Sequence, residues 1–222
     1  MKKLVYFILV LMVYPVSVMA QFEDNNGDGE LAVLAFGDSI TYGVGAEPNQ
    51  SYPAYLSVLT GVNVVNKGVP GERLVLSGNR RILPLLKSGN FDVALIMEGA
   101  NDAVMQIMPS ELNAALQKII NIALLNRVEP VLFSLPLPVG DHANLQPWVI
   151  AYNQEIFQLA FINDVRLIDL EWAWSESVCN NDVCELYNMP DGLHPSALGN
   201  QLIAEKIYES FYGKTPAATE EK

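Results

Sequence analysis

Short apolar runs alternate with longer amphipathic segments along most of this chain. Five runs rich in Val, Leu, Ile and Phe predict strands, and they lie at 31–36, 62–65, 91–97, 130–135 and 165–170. Segments with apolar residues every three to four positions predict helices at 51–59, 72–86, from 109 onward, 145–161 and 196–212. Strands that alternate with helices indicate a parallel sheet covered on both faces. The chain is therefore predicted to be an α/β protein with a five-stranded parallel sheet, and 171–190 is predicted to be irregular.

Small polar clusters follow four of these strands. Ser39 comes after the first strand, Gly68 after the second, Asn101 after the third, and Asp191 with His194 after the fifth. Right-handed crossovers bring the carboxyl ends of parallel strands to one edge of the sheet, where ligands bind in such folds. We therefore expect the four clusters to converge on one site.

The residue types in these clusters suit acyl transfer. Ser39 is a candidate nucleophile, His194 is a candidate base, and Asp191, three residues before the histidine, can hold its ring. The tetrahedral oxyanion needs hydrogen-bond donors, and three are available: the backbone N–H groups of Ser39 and Gly68 and the side-chain amide of Asn101. The other histidine, His142, has no comparable neighbours in sequence and is predicted to be exposed.

Four ordered motifs make the chain similar to the GDSL, or SGNH, hydrolase family. They are Gly37-Asp38-Ser39-Ile40-Thr41, the glycine block within 66–71, Gly99-Ala100-Asn101-Asp102, and Asp191 to His194 followed by Pro195. The resemblance implies a three-layer α/β/α sandwich of flavodoxin-like type. It also implies a catalytic triad of Ser39, Asp191 and His194, with Ser39, Gly68 and Asn101 around the oxyanion.

An ester hydrolase acting through an acyl-enzyme is the function that the resemblance implies, with no metal or organic cofactor. Compact secreted members similar to lysophospholipases, thioesterases and arylesterases look nearest. The expected substrate is a small-molecule or lipid ester, whose acyl group Val104, Met105, Ile107 and Met108 could line, although these side chains could equally pack between helices. Two alternatives stay open: a carbohydrate or peptidoglycan acetylesterase, and a catalytically silent binding module of the cell envelope.

The N-terminus predicts export. A basic start at Lys2 and Lys3 precedes an apolar run and a small residue at Ala20, which is typical of a signal peptide over residues 1–20. An uncleaved anchor is the alternative, but Pro15 interrupts the run and its length is short for a span. We expect a periplasmic or secreted protein without a membrane span after cleavage. A polar linker over 21–30, a hydrolase domain over 31–212 and a flexible tail over 213–222 would follow.

Charge disfavours some partners. Removing Lys2 and Lys3 from the 13 basic residues leaves 11 against 25 acidic residues, a net charge of −14. Such an acidic chain without a basic stripe is not expected to bind nucleic acid or to dock on anionic lipid. The sequence carries no indication of oligomeric state.

Two further features admit more than one interpretation. Cys179 and Cys184 flank a turn-prone segment, and in an exported chain a disulfide is favoured over free thiols or a metal site. The segment from Asp24 to Glu30 resembles the first half of a calcium loop, but the position of the bidentate glutamate is Ala35. A linker rich in Asn, Asp and Gly is therefore favoured there.

Overall fold

The computed structural model describes residues 21–176 and 184–213. Five strands form one sheet: β1 (Ala32–Gly37), β2 (Asn63–Gly68), β3 (Val93–Met97), β4 (Glu129–Phe133) and β5 (Arg166–Ile168). The α-helices among the described residues are α1 (Ser39–Tyr42), α2 (Tyr52–Thr60), α3 (Asn79–Ser88), α4 (Ala100–Val104), α5 (Pro109–Leu125), α6 (Gln146–Asn163), α7 (Leu170–Ser175) and α8 (Ala197–Tyr212). A π-helical turn, Leu74–Gly78, precedes α3, and a 3-10 helix, Gly140–Leu145, precedes α6.

All neighbouring strands pair in parallel, in the order β2-β1-β3-β4-β5. Helices α2 and α8 pack together, and α3, α5 and α6 form a second group. Each of the two groups covers one face of the sheet, because right-handed crossovers run one way from β1 to β2 and the opposite way from β2 to β3, β4 and β5. Every residue of β3 is buried, so this strand reads as an unbroken apolar run rather than an alternating one. The predicted five-stranded, three-layer α/β fold is confirmed.

Most element boundaries lie within a few residues of the predicted ones, and two segments differ. The predicted helix over 72–86 is divided into the π-helical turn and α3, which continues through Pro84. The segment 171–190 is not wholly irregular, because α7 occupies its start. Asp169 caps α7 by accepting a hydrogen bond from the Trp172 N–H, and the buried Trp174 anchors the helix to the core.

The N-terminal segment 21–30, predicted to be a polar linker, contacts the domain through Phe22 and Asn25. Phe22 is buried, with its ring 4.1 Å from that of Phe211 in α8. The Asp92 carboxylate accepts hydrogen bonds from the backbone of Asn25, at 2.9 Å, and of Ala32, also at 2.9 Å. Within residues 21–176 and 184–213, no helix is long and apolar enough to cross a membrane. The predicted signal peptide and most of the predicted tail lie outside the described residues.

Candidate active site

The candidate nucleophile, Ser39, lies just after a tight turn at the end of β1. An added Cβ on Gly37 would collide with the Thr41 side chain and with the Met97 carbonyl of the neighbouring β3, so only glycine lets the chain turn there. Asp38 then caps α1, because its Oδ1 accepts the Ile40 N–H at 2.9 Å. Ser39 is the first residue of α1 and is buried. The strand order reverses between β1 and β3, which places Ser39 at the switch point of the sheet.

Residues far apart in sequence form a hydrogen-bonded triad at this point. His194 Nε2 lies 2.9 Å from Ser39 Oγ, and His194 Nδ1 lies 2.9 Å from Asp191 Oδ2. Since a carboxylate only accepts, Nδ1 carries the ring proton and Nε2 is left to accept from the serine hydroxyl. The predicted nucleophile, base and orienting carboxylate therefore meet in the geometry that serine acyl transfer requires.

Hydrogen bonds from His194 itself hold the carboxylate in its charged form. Partial burial works against the charge, but the backbone N–H and the ring of His194, followed by the Leu193 N–H, lower the pKa of Asp191 below its ordinary value. The Oδ2 atom accepts from the His194 N–H at 2.8 Å and the Leu193 N–H at 3.2 Å. Asn188 fixes the other side of this loop by donating to the His194 and Pro195 carbonyls.

The predicted oxyanion donors differ in whether their N–H groups already donate to another acceptor. Asn101 Nδ2 lies 3.3 Å from Asp38 Oδ2, which leaves its second N–H available. The Ser39 N–H begins α1 and so has no carbonyl one turn earlier to bond. The Gly68 N–H already donates to Asn66 Oδ1 at 2.9 Å, so it can reach an oxyanion only by sharing or breaking that bond.

Gly71, three residues further on, offers a backbone N–H that donates to no acceptor within the described part of the chain. It sits in a turn closed by the hydrogen bond from the Glu72 N–H to the Val69 carbonyl, with Pro70 before it and a φ of +77°. Pro followed by a glycine of positive φ is the pattern of a type II turn. Gly71 belongs to the same glycine motif, within 66–71, in which the sequence predicts Gly68 as the donor.

A layer of buried carboxyl groups lies beneath the nucleophile. Burial raises the pKa of Asp38 to about 7, opposed by the Ile40 N–H and reinforced by Asp102 and Glu72. Burial also raises the pKa of Glu98 well above its ordinary value, with the charges of Asp38 and Glu72 adding to the effect. The layer therefore keeps protons near neutral pH that exposed carboxyl groups would lose.

Arg81 connects this layer to the strand ends. Its guanidinium forms an ion pair with Glu72, donates to the Lys67 carbonyl at 2.7 Å and the Gly37 carbonyl at 3.2 Å, and stacks on the Phe36 ring. The carboxyl ends of β1 and β2 are thus held by one side chain. The sequence does not indicate a role for Arg81 or Glu72, because the pattern around them is that of an ordinary amphipathic helix.

The four predicted acyl-pocket residues follow α4 or end it. Val104, Met105 and Met108 are 45%, 55% and 56% exposed, which contradicts a role in helix packing for these three. Ile107 is half-buried, and its carbonyl accepts the Tyr152 hydroxyl at 2.6 Å. The loop therefore presents apolar side chains at the carboxyl edge of the sheet, beside Asn101.

His142 is not exposed as predicted. It is half-buried, and its Nδ1 lies 2.8 Å from the carbonyl oxygen of Asp191. No signal in the sequence joins two residues 49 positions apart in two different loops.

The predicted disulfide falls partly outside the described residues, since Cys179 does, and it stays a prediction. Among residues 21–176 and 184–213, no group of three or more His, Cys, Asp or Glu side chains is arranged to hold a metal ion. In the segment that resembles a calcium loop, Asp24 accepts the N–H groups of Gly27 and Gly29.

Fold and site together give a parallel α/β sheet with a hydrogen-bonded Ser-His-Asp triad at its topological switch point. The chain belongs to the GDSL-like lipase/acylhydrolase family, whose model matches residues 35–202. This confirms the predicted family and places the protein among hydrolases that act on esters. No curated protein matches the chain.

Several solved structures share the fold of this chain. A member of the lipolytic G-D-S-L family from Veillonella parvula aligns with a TM-score of 0.71 and 20% identity, over 82% of this chain and 98% of that one. A lipase/acylhydrolase from Enterococcus faecalis aligns with a TM-score of 0.68 and 22% identity, over 85% and 100%. The acetyl xylan esterase AlAXEase aligns with a TM-score of 0.68 and 24% identity, over 81% and 99%.

Proposed function

We propose that this protein is an exported serine esterase that cleaves carboxylic esters through an acyl-enzyme. The observation that carries the proposal is the continuous hydrogen-bonded path from Ser39 Oγ through His194 to Asp191, with 2.9 Å at each step. A serine with only a structural role, as a helix cap or in packing, would not need an imidazole hydrogen-bonded to its hydroxyl. Nor would that half-buried imidazole need a carboxylate bonded to its other nitrogen.

The reaction follows from this path. His194 Nε2 takes the proton as Ser39 Oγ attacks the ester carbonyl carbon, and the carbonyl electrons move to the oxygen. The Ser39 N–H, the free N–H of Asn101 Nδ2 and a backbone N–H of the 68–71 turn then stabilise the oxyanion. We assign the third donor to Gly71, because the Gly68 hydrogen is engaged. Collapse expels the alcohol, which receives the proton from His194, and water repeats the sequence to release the acid.

The substrate is proposed to be an acyl or aryl ester, of lysophospholipid or thioester type. The exposed apolar side chains of Val104, Met105 and Met108 support this choice, since an acyl chain or aryl ester fits them better than a sugar does. The alternative is an acetylesterase acting on carbohydrate or peptidoglycan. It is favoured by the likeness to AlAXEase and by the small demand that an acetyl group makes on a pocket.

Replacing Ser39 with alanine tests the reaction. We expect p-nitrophenyl ester turnover to disappear with the fold intact, while Ser88→Ala, at an exposed serine near the end of α3, should keep full activity. Covalent labelling by a fluorophosphonate should occur in the Ser88→Ala variant and not in the Ser39→Ala variant. Persistent turnover without Ser39 would exclude the mechanism, and wild-type protein that neither turns over nor labels would favour a silent binding module.

A panel of substrates tests the specificity. Rates that rise from acetyl to longer acyl esters would support the exposed side chains of Val104, Met105 and Met108 as the acyl site. Rates confined to acetyl esters, together with release of acetate from acetylated xylan or peptidoglycan, would establish the alternative.

A further inference from the structure

The segment 139–142 is hydrogen-bonded to the loop that carries Asp191, the proposed catalytic carboxylate. The Val139 N–H donates to the Gly192 carbonyl at 2.9 Å, and the Asp141 N–H donates to the Pro190 carbonyl at 2.8 Å. His142 Nδ1 lies 2.8 Å from the carbonyl oxygen between them, that of Asp191. Three consecutive carbonyls of the loop, 190 to 192, therefore accept from one short segment.

The two backbones approach so closely that side chains would not fit between them. An added Cβ on Gly140 would meet the Pro190 carbonyl, and one on Gly192 would meet the Val139 carbonyl. Both glycines also have positive φ, +54° and +67°, which other residues rarely adopt. Two of the three bonds are made by the backbone, so His142 is the one donor that a substitution can remove.

The third hydrogen bond, from His142, is made to Asp191 itself, the residue that carries the carboxylate. A carbonyl oxygen only accepts, so the proton of His142 resides on Nδ1. The same Nδ1 lies 3.4 Å from Asp191 Oδ1, the carboxylate oxygen that faces away from His194. The other oxygen, Oδ2, takes the bonds from the His194 ring and from the backbone. His142 thus faces one side of the carboxylate while His194 uses the other.

We propose that His142 is a positioning residue for the catalytic carboxylate: by bonding the Asp191 carbonyl it fixes the backbone from which the carboxylate projects, so that Oδ2 stays aligned with His194. The inference rests on the proposed function, because it assigns His142 to the same reaction. His142 does not touch Ser39 or the oxyanion donors within the described structure, and it acts through Asp191 alone.

Three substitutions separate this role from simple packing. His142→Asn keeps an amide N–H at the same bond distance from the backbone as Nδ1. His142→Gln moves the amide one bond further out, to the position of Nε2. His142→Leu fills the space with no donor. We expect kcat to fall about tenfold in the Leu and Gln variants and to stay within about threefold of wild type in the Asn variant.

The measured quantity is kcat per fluorophosphonate-titrated site, so that partly unfolded protein does not count as slow enzyme. KM should change by less than about twofold, because His142 faces the carboxylate and not the substrate. Asn144→Ala, an exposed position in the same 3-10 helix, is the matched control and should behave as wild type. The proposal would be overturned if the three His142 variants all had the kcat of the wild type. It would also be overturned if His142→Asn lost as much kcat as His142→Leu.

A double substitution supplies an independent check. In an Asp191→Ala background the carboxylate is gone, so adding His142→Leu should cost less than about twofold more. A further tenfold loss would show that His142 acts on something other than the Asp191 carboxylate. Wild-type turnover that Ser39→Ala abolishes establishes the proposed function separately, so unresponsive His142 variants would count against the positioning role alone.

Discussion

Replacing Gly68 with alanine is predicted to lower the activity of this enzyme about 10²-fold while leaving it folded. The glycine ends β2 beside α1, where an added Cβ would lie 2.6 Å from Tyr42 Cα and 2.7 Å from the Thr41 carbonyl carbon, and still closer to the Tyr42 backbone nitrogen. All three atoms are backbone, so no side chain can rotate out of the way. An ordinary contact requires an outward shift of roughly 1 Å.

That shift also displaces Ser39, the proposed nucleophile. Helix α1 has four residues, and Tyr42 at its end moves together with Ser39 at its start. A displacement of about 1 Å breaks the 2.9 Å alignment of Ser39 Oγ with His194 Nε2. Misplacements of this size cost about 10²-fold in rate. Overpacking at such a site lowers the free energy of unfolding by about 1–3 kcal/mol, which an intact core can tolerate.

The assay is kcat/KM for a p-nitrophenyl ester, measured beside urea unfolding. Gly61→Ala is the matched control, since Gly61 ends α2 with a φ of +70° and has no atom within 4 Å of an added Cβ. It should lose about 1 kcal/mol of stability from backbone strain and no activity. Strand β2 lies at the edge of the sheet and could yield instead of α1. Gly68→Ala with near-normal kcat/KM would show that it does, and would refute the reasoning.

Two other outcomes can be measured directly. Asn101→Ala should lower kcat by about 10²–10³-fold through loss of one oxyanion donor, and a loss below tenfold would mean that the backbone donors suffice. Because burial raises the pKa of Asp38 from 3.8 to about 7, the folded protein retains a proton in that interval that the unfolded chain releases. Stability should therefore fall as pH rises from about 4 to about 7, by on the order of 4 kcal/mol for this group. Urea unfolding at pH 5 and pH 8 should show about 3 kcal/mol of this loss, because the rest has already occurred at pH 5. Asp38→Asn should reduce the difference, and an unchanged difference in the variant would contradict the assignment.

Much of the fold and the triad could be predicted from sequence because both are encoded locally. A strand buried on both faces must be an apolar run, as β3 is, and the loop that follows must start where the apolar residues stop. Since parallel strands expose their carboxyl ends at one edge, residues as distant as Ser39 and His194 could be brought together on topology alone.

Contacts between loops were decided only by the tertiary structure. The occupied Gly68 N–H depends on the rotamer of Asn66, and the guanidinium of Arg81 depends on where α3 docks against two strand ends. The predicted exposure of His142 failed for the same reason: the docking of one loop on another leaves no periodic pattern in either. Apolar periodicity determined the sheet, its edge and the serine at that edge. The close approach of two backbones at Gly140 and Gly192 placed His142 beside Asp191.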